Sequence, residues 1–374
     1  MMIFLGAGAS KIVGIKTLQE MSKDLIKIME KKGYRDIVGK ITHSLKRFGM
    51  TTDFEAIYTI VEGLTNPKHA VKTNGPFTAY VCKNLKEVMP KQNLEDLMQV
   101  FKTFLLEECK LKRGSHKRIE SVYDSLFHII ANSGAIERRY IVGVEDGKEP
   151  SVNVGYTIVT TNYDMVVESY YRIKRQQYAD GFRPIEGDPF IKQMDLTTYS
   201  MARQRWLIKL HGSIWQYKYK NNIFKTIEDP KTSSIPVKIE EEMLIYPTGE
   251  KPILRYPYYD FYNVFKMQRW QKLIVIGYSF RDDPVNAAII ENLEKTQDSI
   301  LVLVNPNPKK VIKNLGDSAI SKFDDRIIPV KGEFGDEKVF KKLEIALKVG
   351  SKPRYFERAK TTGYVSLSEI RDLS

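Results

Sequence analysis

The sequence predicts an α/β protein: a Rossmann-like, doubly wound, mostly parallel sheet with an inserted helical subdomain. Three observations predict it. After residue 155, short continuous apolar runs alternate with amphipathic segments of helical period, the pattern of buried parallel strands with helices on both faces. The chain begins with another such run, Met2-Ile3-Phe4-Leu5, followed directly by Gly6-Ala7-Gly8-Ala9-Ser10 and a helical pattern. Between these regions, from about Tyr34 to Asn132, the pattern is helical almost throughout. The expected organisation is a first strand, turn and helix in 1–33, inserted helices in 34–140, the remainder of the sheet domain in 141–349, and a mildly basic tail in 350–374.

Each element follows from its residues. Leu18, Met21, Leu25 and Ile28 form the apolar stripe of the first helix. In the inserted block, Tyr34, Ile37, Val38, Ile41, Leu45 and Phe48 form one stripe, Phe54, Ile57, Tyr58, Val61 and Leu64 a second, and Leu94, Leu97, Phe101, Phe104 and Leu105 a third. Asn66-Pro67 and Asn74-Gly75-Pro76 separate helices there. Ile141 to Gly147 reads as a hairpin, and Tyr156 to Thr161 as the next strand. Residues 175–205 have weak periodicity and mixed polarity, and read as a long surface connection of the kind used for lids. Trp206 to Leu210 is a strand. Ile214 to Tyr219 and Ile223 to Ile227 form a hairpin around Asn221-Asn222. Tyr258 to Trp270 reads as a helix, Leu273 to Ile276 and Ile300 to Val304 as buried strands, and Pro284 as the opening of a helix. Arg326 to Val330 and a helix over Val339 to Val349 complete the domain.

Composition bounds the function classes. A hydrophobic content of 42% supplies ample core for a chain of 374 residues, and no run is long enough to span a bilayer. Two distant cysteines, Cys82 and Cys109, read as buried thiols in a reducing cytoplasm rather than a disulfide framework. The N-terminus lacks a basic region and a cleavage site, so a cytoplasmic protein is expected. The net charge of +13 raises the question of nucleic acid. The basic residues are scattered over amphipathic segments, however, and read as solvated helix faces. They suit a phosphate-bearing small molecule or an acidic partner equally well.

The informative residues lie at strand ends, where open α/β sheets bind ligands. Gly6 to Ser10 follows the first strand, in the context that a phosphate-cradling loop requires. The full dinucleotide fingerprint wants a third glycine where Lys11 stands, so the match is incomplete. Thr160-Thr161-Asn162-Tyr163-Asp164 ends the second strand, His211-Gly212-Ser213 the third, Gly277-Tyr278-Ser279 the fourth, and Asn305 the fifth. Each has a plain structural reading as a turn glycine, a helix cap or a packed histidine. Their coincidence at five strand ends of one sheet argues for a site.

This ordered set resembles the sirtuin-like superfamily, in particular its zinc-free bacterial members in antiphage defence, over residues 1 to about 330. Gly6 to Ser10 is similar to the family's phosphate loop, and Gly14-Ile15 to the Gly-Ile that follows it. Thr160 to Asp164 is similar to its Thr-Gln-Asn-Ile-Asp segment. Leu210-His211-Gly212 is similar to the catalytic Leu-His-Gly, Gly277-Tyr278-Ser279 to Gly-Thr-Ser, and Val304-Asn305 to the Ile-Asn beside the adenosine ribose. The four-cysteine zinc module of deacetylases has no counterpart in a chain with two cysteines, so no zinc and no metal ligand is expected. A groove for an acetylated peptide is not evident.

The resemblance therefore implies an NAD glycohydrolase that releases nicotinamide and ADP-ribose, with NAD as substrate. It assigns catalysis to Asn162 and His211, the former positioning water or ribose hydroxyls and the latter acting as general base. Gly6, Ala7, Gly8 and Ser10 would meet the pyrophosphate, Ser279 and Asn305 the adenosine half, Asp164 the nicotinamide carboxamide or, as support, Asn162, and Thr161 and Gly277 the cofactor. Asp164 is divided between this site and a helix cap. Asp282 and Asp283 are read as caps of the helix near Pro284, with a ribose contact as the alternative. The resemblance further implies regulation by assembly: a homo-oligomer, a HerA-like hexameric ATPase as partner, nucleic acid reached through that partner, and no membrane. Two rival readings stand beside it, a non-catalytic NAD or ADP-ribose sensor and a nucleic-acid-binding or nuclease component.

Overall fold

A computed structural model describes residues 1–65, 80, 82, 83, 91–133, 155–201, 205–227, 241–246, 253 and 255–349. The expected hairpin at 141–147, the breaks at 66–67 and 74–76, and the tail from 350 lie outside them. The chain divides into two compact units. One comprises Met1–Val13, Leu111–Met243 and Ile253–Ser374, the other Gly14–Lys110 and Leu244–Pro252.

The first unit contains a six-stranded parallel sheet. Its strands are β1 (Met2–Leu5), β2 (Tyr156–Thr160), β5 (Arg205–Lys209), β9 (Lys272–Ile276), β10 (Ile300–Asn305) and β11 (Ile327–Lys331), in the spatial order β11-β10-β9-β1-β2-β5. Counted in chain order, that arrangement reads 6-5-4-1-2-3, the order of Rossmann-type sheets, with the switch point between β1 and β9. β1 is apolar throughout, β9 is apolar after Lys272, and both are buried at every position. Register fixes the site. Leu5 pairs with Thr160 on one side and Ile276 on the other, Thr160 with Lys209, and Ile276 with Val304. The residues following these therefore leave the sheet along one edge.

A second sheet lies within the stretch between β2 and β9. It orders β3 (Phe182–Ile185), β4 (Asp188–Met194), β7 (Asn222–Thr226), β6 (Gly212–Tyr219) and β8 (Glu241–Leu244) as β3-β4-β7-β6-β8. The pairs β3–β4, β4–β7 and β6–β7 are antiparallel. This corrects the reading of 175–205 as a long connection. Those residues form a hairpin turning at Glu186-Gly187, with Gly187 at φ +82°, and then a short helix over Thr197–Met201. The strands escaped notice because β3 exposes Arg183 and Pro184 to solvent. An edge strand tolerates proline, whose missing N–H faces no neighbour.

The helices, numbered in chain order, are α1 (Ala7–Ser10), α2 (Leu18–Lys31), α3 (Arg35–Arg47), α4 (Phe54–Thr65), α5 (Lys91–Glu108), α6 (His116–Asn132), α7 (Val166–Ile173), α8 (Thr197–Met201), α9 (Tyr258–Met267), α10 (Asp283–Lys295), α11 (Pro308–Ile312), α12 (Asp317–Phe323) and α13 (Glu337–Val349). The segment read as a helix to Trp270 ends at Met267, leaving Trp270 buried just before β9. The second unit holds α2 to α5. A capping box starts α2, with Thr17 Oγ1 accepting from Glu20 N–H while Glu20 Oε2 accepts from Thr17 N–H. Phe54, Tyr58, Phe101 and Phe104 pack face and edge at its centre, and Tyr246 stacks on Tyr58. Grouped by the sequence reading with the inserted helices, α6 instead packs in the first unit. Its Tyr123 meets Tyr170 of α7 and Phe334, and its Phe127 stacks on Tyr156 of β2. Among the described residues no helix is long and apolar enough to cross a membrane.

Candidate active site

At the switch point, backbone meets backbone. Gly6 N–H donates to Ile276 O at 2.9 Å, and Gly8 N–H to Gly277 O at 3.0 Å. A Cβ on Gly6 would lie 2.5 Å from Tyr278 Cα, and one on Gly8 2.8 Å from Gly277 Cα. Gly277 adopts φ +63°, and a Cβ there would come within 2.5 Å of Gly8. The loops after β1 and β9 thus interlock through three glycines. The sequence reading assigned Gly6 and Gly8 to a pyrophosphate; their contact with the β9 loop accounts for both without one. Ala7, half-buried, stands between them.

The next strand end supplies a polar cluster. Thr160 Oγ1 donates to Leu5 O at 2.8 Å and accepts from Asn162 N–H at 3.0 Å, which turns the chain at the end of β2. The Asn162 amide Nδ2 donates to Gly6 O at 2.9 Å and to Ser10 Oγ at 3.0 Å. Ser10 Oγ donates in turn to Asp164 Oδ2 at 2.7 Å. The other Asp164 oxygen accepts from Val166 N–H at 3.0 Å, leading the chain into α7. Asp164 therefore serves cap and cluster at once. Burial pushes its carboxyl upward, against the lowering pull of Lys209 and of the Ser10 and Val166 bonds. These partners place Ser10 and Asp164 behind the Asn162 amide, the supporting position expected of Asp164 as one alternative. Ser10 is 2% exposed with its hydroxyl committed to Asp164, and Asp164 is 5% exposed with both oxygens engaged. Both side chains are held inside the protein by these bonds. With its N–H groups held inside, the Asn162 amide has its carbonyl Oδ1 left over, an acceptor.

His211 follows β5 by two residues, as Asn162 follows β2, and Leu210 N–H donates to Thr160 O at 2.9 Å. Gly212, at φ +77°, turns the chain out of the parallel sheet and into β6. The two turns are tied: Ser213 Oγ and Ile214 N–H both donate to Tyr163 O, at 3.0 and 3.1 Å. The His211 ring is buried, and its Nε2 lies 2.7 Å from Asp282 Oδ2. Asp282 stands at the N-cap of α10 but makes no side-chain capping bond. Its carboxylate reaches His211 instead, which corrects the reading of Asp282 as a cap. Asp283 is exposed in the first turn of α10.

The remaining candidates lie on the same edge without joining these clusters. Thr161 is half-buried in the β2 turn. The Ser279 carbonyl accepts from Asn314 Nδ2 at 2.8 Å. Asn305 Oδ1 accepts from Asn307 N–H at 2.8 Å, a local turn that occupies that oxygen.

Beneath the turns runs an ion network that sequence reasoning missed. Lys209, at the end of β5, donates through Nζ to the Asp164 carbonyl and approaches Glu168 Oε1 at 3.3 Å. Glu168 Oε1 also accepts from Lys225 at 3.0 Å, and Lys225 donates to Asp180 Oδ2 at 2.9 Å. All four side chains are buried. Desolvation pushes the Glu168 carboxyl up, but Lys209 and Lys225 outweigh it and hold the group down to about 2. Desolvation lowers Lys209, whereas Lys225 rises well above its ordinary value because Asp180 and Glu168 overcome the same penalty. The signal in the sequence is a lysine inside the apolar run Trp206 to Leu210. Among the described residues, no group of three or more His, Cys, Asp or Glu is placed to hold a metal ion.

Comparison with curated proteins finds no match to the chain. Residues 156–321, somewhat under half of it, match the family model of the SIR2-like domain. That span runs from β2 to α12 and carries Asn162, Asp164, His211, Gly277, Ser279, Asp282 and Asn305, so this part of the sheet edge is similar to a SIR2-like domain, a kind of domain associated with NAD-dependent enzymes, while β1 and its glycine loop lie outside the match.

Proposed function

We propose that this protein is an NAD glycohydrolase, cleaving NAD and water to nicotinamide, ADP-ribose and a proton. The observation that carries the reading is the pairing of Asn162 and His211. Each stands two residues beyond adjacent, in-register strand ends, and the Tyr163 carbonyl ties their turns together. An amide acceptor beside an imidazole is what hydrolysis of an N-glycosidic bond asks for. As the bond between ribose and nicotinamide breaks, its electron pair goes to the pyridinium nitrogen, which leaves neutral and needs no acid. The ribose carbon becomes cationic, and a water held by Asn162 Oδ1 attacks it while His211 takes the proton. Asp164, Ser10 and Asp282 act behind these two side chains. The interlocked glycine loops present a close-packed backbone rather than an open cradle, so recognition of the pyrophosphate falls to the α1 turn around Ala7.

The test is nicotinamide release from NAD by the purified chain, alone and with the product of the neighbouring gene. Release is expected in at least one condition, and the Asn162→Ala and His211→Ala variants should lower kcat by about 10²–10⁴-fold. No release under either condition overturns the reading. If the wild type binds NAD and nothing is cleaved, the protein is a sensor. The resemblance to defence proteins supports a role in depleting NAD during phage infection, under control of a HerA-like ATPase and of self-assembly. Co-purification of the two products and the mass of the particle test that part.

A further inference from the structure

We propose that Asp282 is a positioning residue that holds the His211 ring through Nε2 and thereby makes Nδ1 the nitrogen that accepts a proton. The inference rests on the hydrolase reading for its kinetic consequence and on geometry for the pairing itself. An aspartate at a helix N-cap ordinarily accepts a hydrogen bond from the first turn, a contribution worth about 1 kcal/mol. Asp282 occupies that position without making the capping bond, and Pro284 in the first turn offers no N–H. Its carboxylate is turned to a histidine 71 residues away, at 2.7 Å, with both side chains at most 5% exposed.

A carboxylate can only accept, so Nε2 must carry the hydrogen. The neutral ring then has its lone pair on Nδ1, which makes no hydrogen bond among the described residues. When Nδ1 takes a proton, the imidazolium forms against a buried anion already in place, the service a buried aspartate performs in hydrolytic triads. The other ionisable groups around the pair leave Asp282 as its anion. The Tyr163 ring centroid is 6.4 Å from that of His211, and burial pushes the Tyr278 and Tyr262 phenols upward, with Asp282 adding to both. Lys209, two residues away, is engaged by the Asp164 carbonyl and Glu168. Arg281 and Asp283 flank Asp282 as exposed side chains.

The experiment has two arms on the full chain. The first needs no substrate: proton NMR should show a downfield imidazole N–H resonance, protected from exchange, that is absent in His211→Ala and lost or moved far upfield in Asp282→Asn. Nitrogen labelling should assign it to Nε2. The second follows nicotinamide release. Asp282→Asn should lower kcat by about 10²–10⁴-fold with KM within about threefold, while Asp283→Asn matches wild type. Asp282→Glu, which keeps the charge, should recover part of the loss. A wild type without the Nε2 proton resonance, or an Asp282→Asn variant with kcat within about threefold of wild type, overturns the assignment. If Asp282→Asn unfolds, the wild-type resonance and its assignment still decide. A protein showing the resonance but releasing no nicotinamide loses the hydrolase reading while keeping the pairing.

Discussion

Ser10 and Asp164, 154 residues apart in sequence, share a 2.7 Å hydrogen bond inside the protein, and through it the carboxylate sets the direction of the Asn162 amide. The serine hydroxyl has one proton, given to Asp164, so toward Asn162 it can only accept. That forces the amide nitrogen inward and its oxygen outward.

Removing the serine hydroxyl breaks this chain of orientation. Ser10→Ala should lower kcat for NAD by roughly 10–100-fold. It should also cost about 1–3 kcal/mol of stability, because a buried carboxylate oxygen loses its donor. Rates of nicotinamide release and thermal melting of the same preparation measure the two effects. Unchanged kcat would show that Asn162 holds its pose without Ser10.

Gly8→Ala tests the interlocked loops. The added methyl would sit 2.8 Å from the Gly277 backbone, where no flexible side chain can give way. A loss of about 1–3 kcal/mol is expected, the usual cost of overpacking, together with reduced activity. Gly39→Ala, at a helical position with nothing within 4 Å, should in contrast be neutral or stabilising in the same melts.

The buried ions should give the protein a defined acid limit. Glu168 is held near 2 in the fold and returns to about 4.5 when unfolded, so it contributes stability above 4.5 that is lost as pH falls through that range toward 2. Lys225→Met leaves Glu168 and Asp180 without their common cation. It should destabilise by about 3–5 kcal/mol at neutral pH, the cost of breaking a buried pair, and should move acid unfolding to higher pH. Urea melts at a series of pH values would record both. Asp164 works in the other direction, since a carboxyl raised by burial takes stability away as pH climbs above 3.8.

At the alkaline side, Lys272 is the group to watch. Burial lowers its ammonium to about 8, and its Nζ donates to the Leu347 carbonyl near the end of α13. A cation that the fold disfavours costs stability below pH 8, and that cost fades between about 8 and the unfolded value near 10.5. Stability of the wild type should therefore rise across that interval relative to Lys272→Met, which has nothing there to titrate.

Much of this was legible in the residues, for identifiable reasons. The parallel strands announce themselves because burial on both faces demands continuous apolar runs, as in Leu273 to Ile276. Asn162 and His211 could be singled out because they follow such runs directly. What escaped was whatever depended on a partner distant in sequence. Asp282 reads locally as a cap, and nothing near it names His211. Ser10 reads as a phosphate ligand until Asp164 is seen to hold it. The half-buried hairpin of β3 and β4 carries solvent-facing Arg183 and Pro184, which dilute its alternation below recognition. Lys209 was visible as a charge in an apolar run, but its meaning rests on Glu168 and Lys225, supplied by a helix and by another sheet.

The glycine interlock also bears on the order in which the molecule is made. The amide of Gly6 bonds to the carbonyl of Ile276, so the loop after β1 cannot take its final shape until a strand 270 residues later has emerged. At synthesis rates of about 5–20 residues per second, β1 waits roughly 14–54 s for that neighbour. Asp282 arrives six residues later still. A nascent chain therefore acquires the Asn162 cluster with Ser10 and Asp164 as soon as β2 and its turn are made, whereas the His211 ring waits for Asp282, 71 residues on, before it is held.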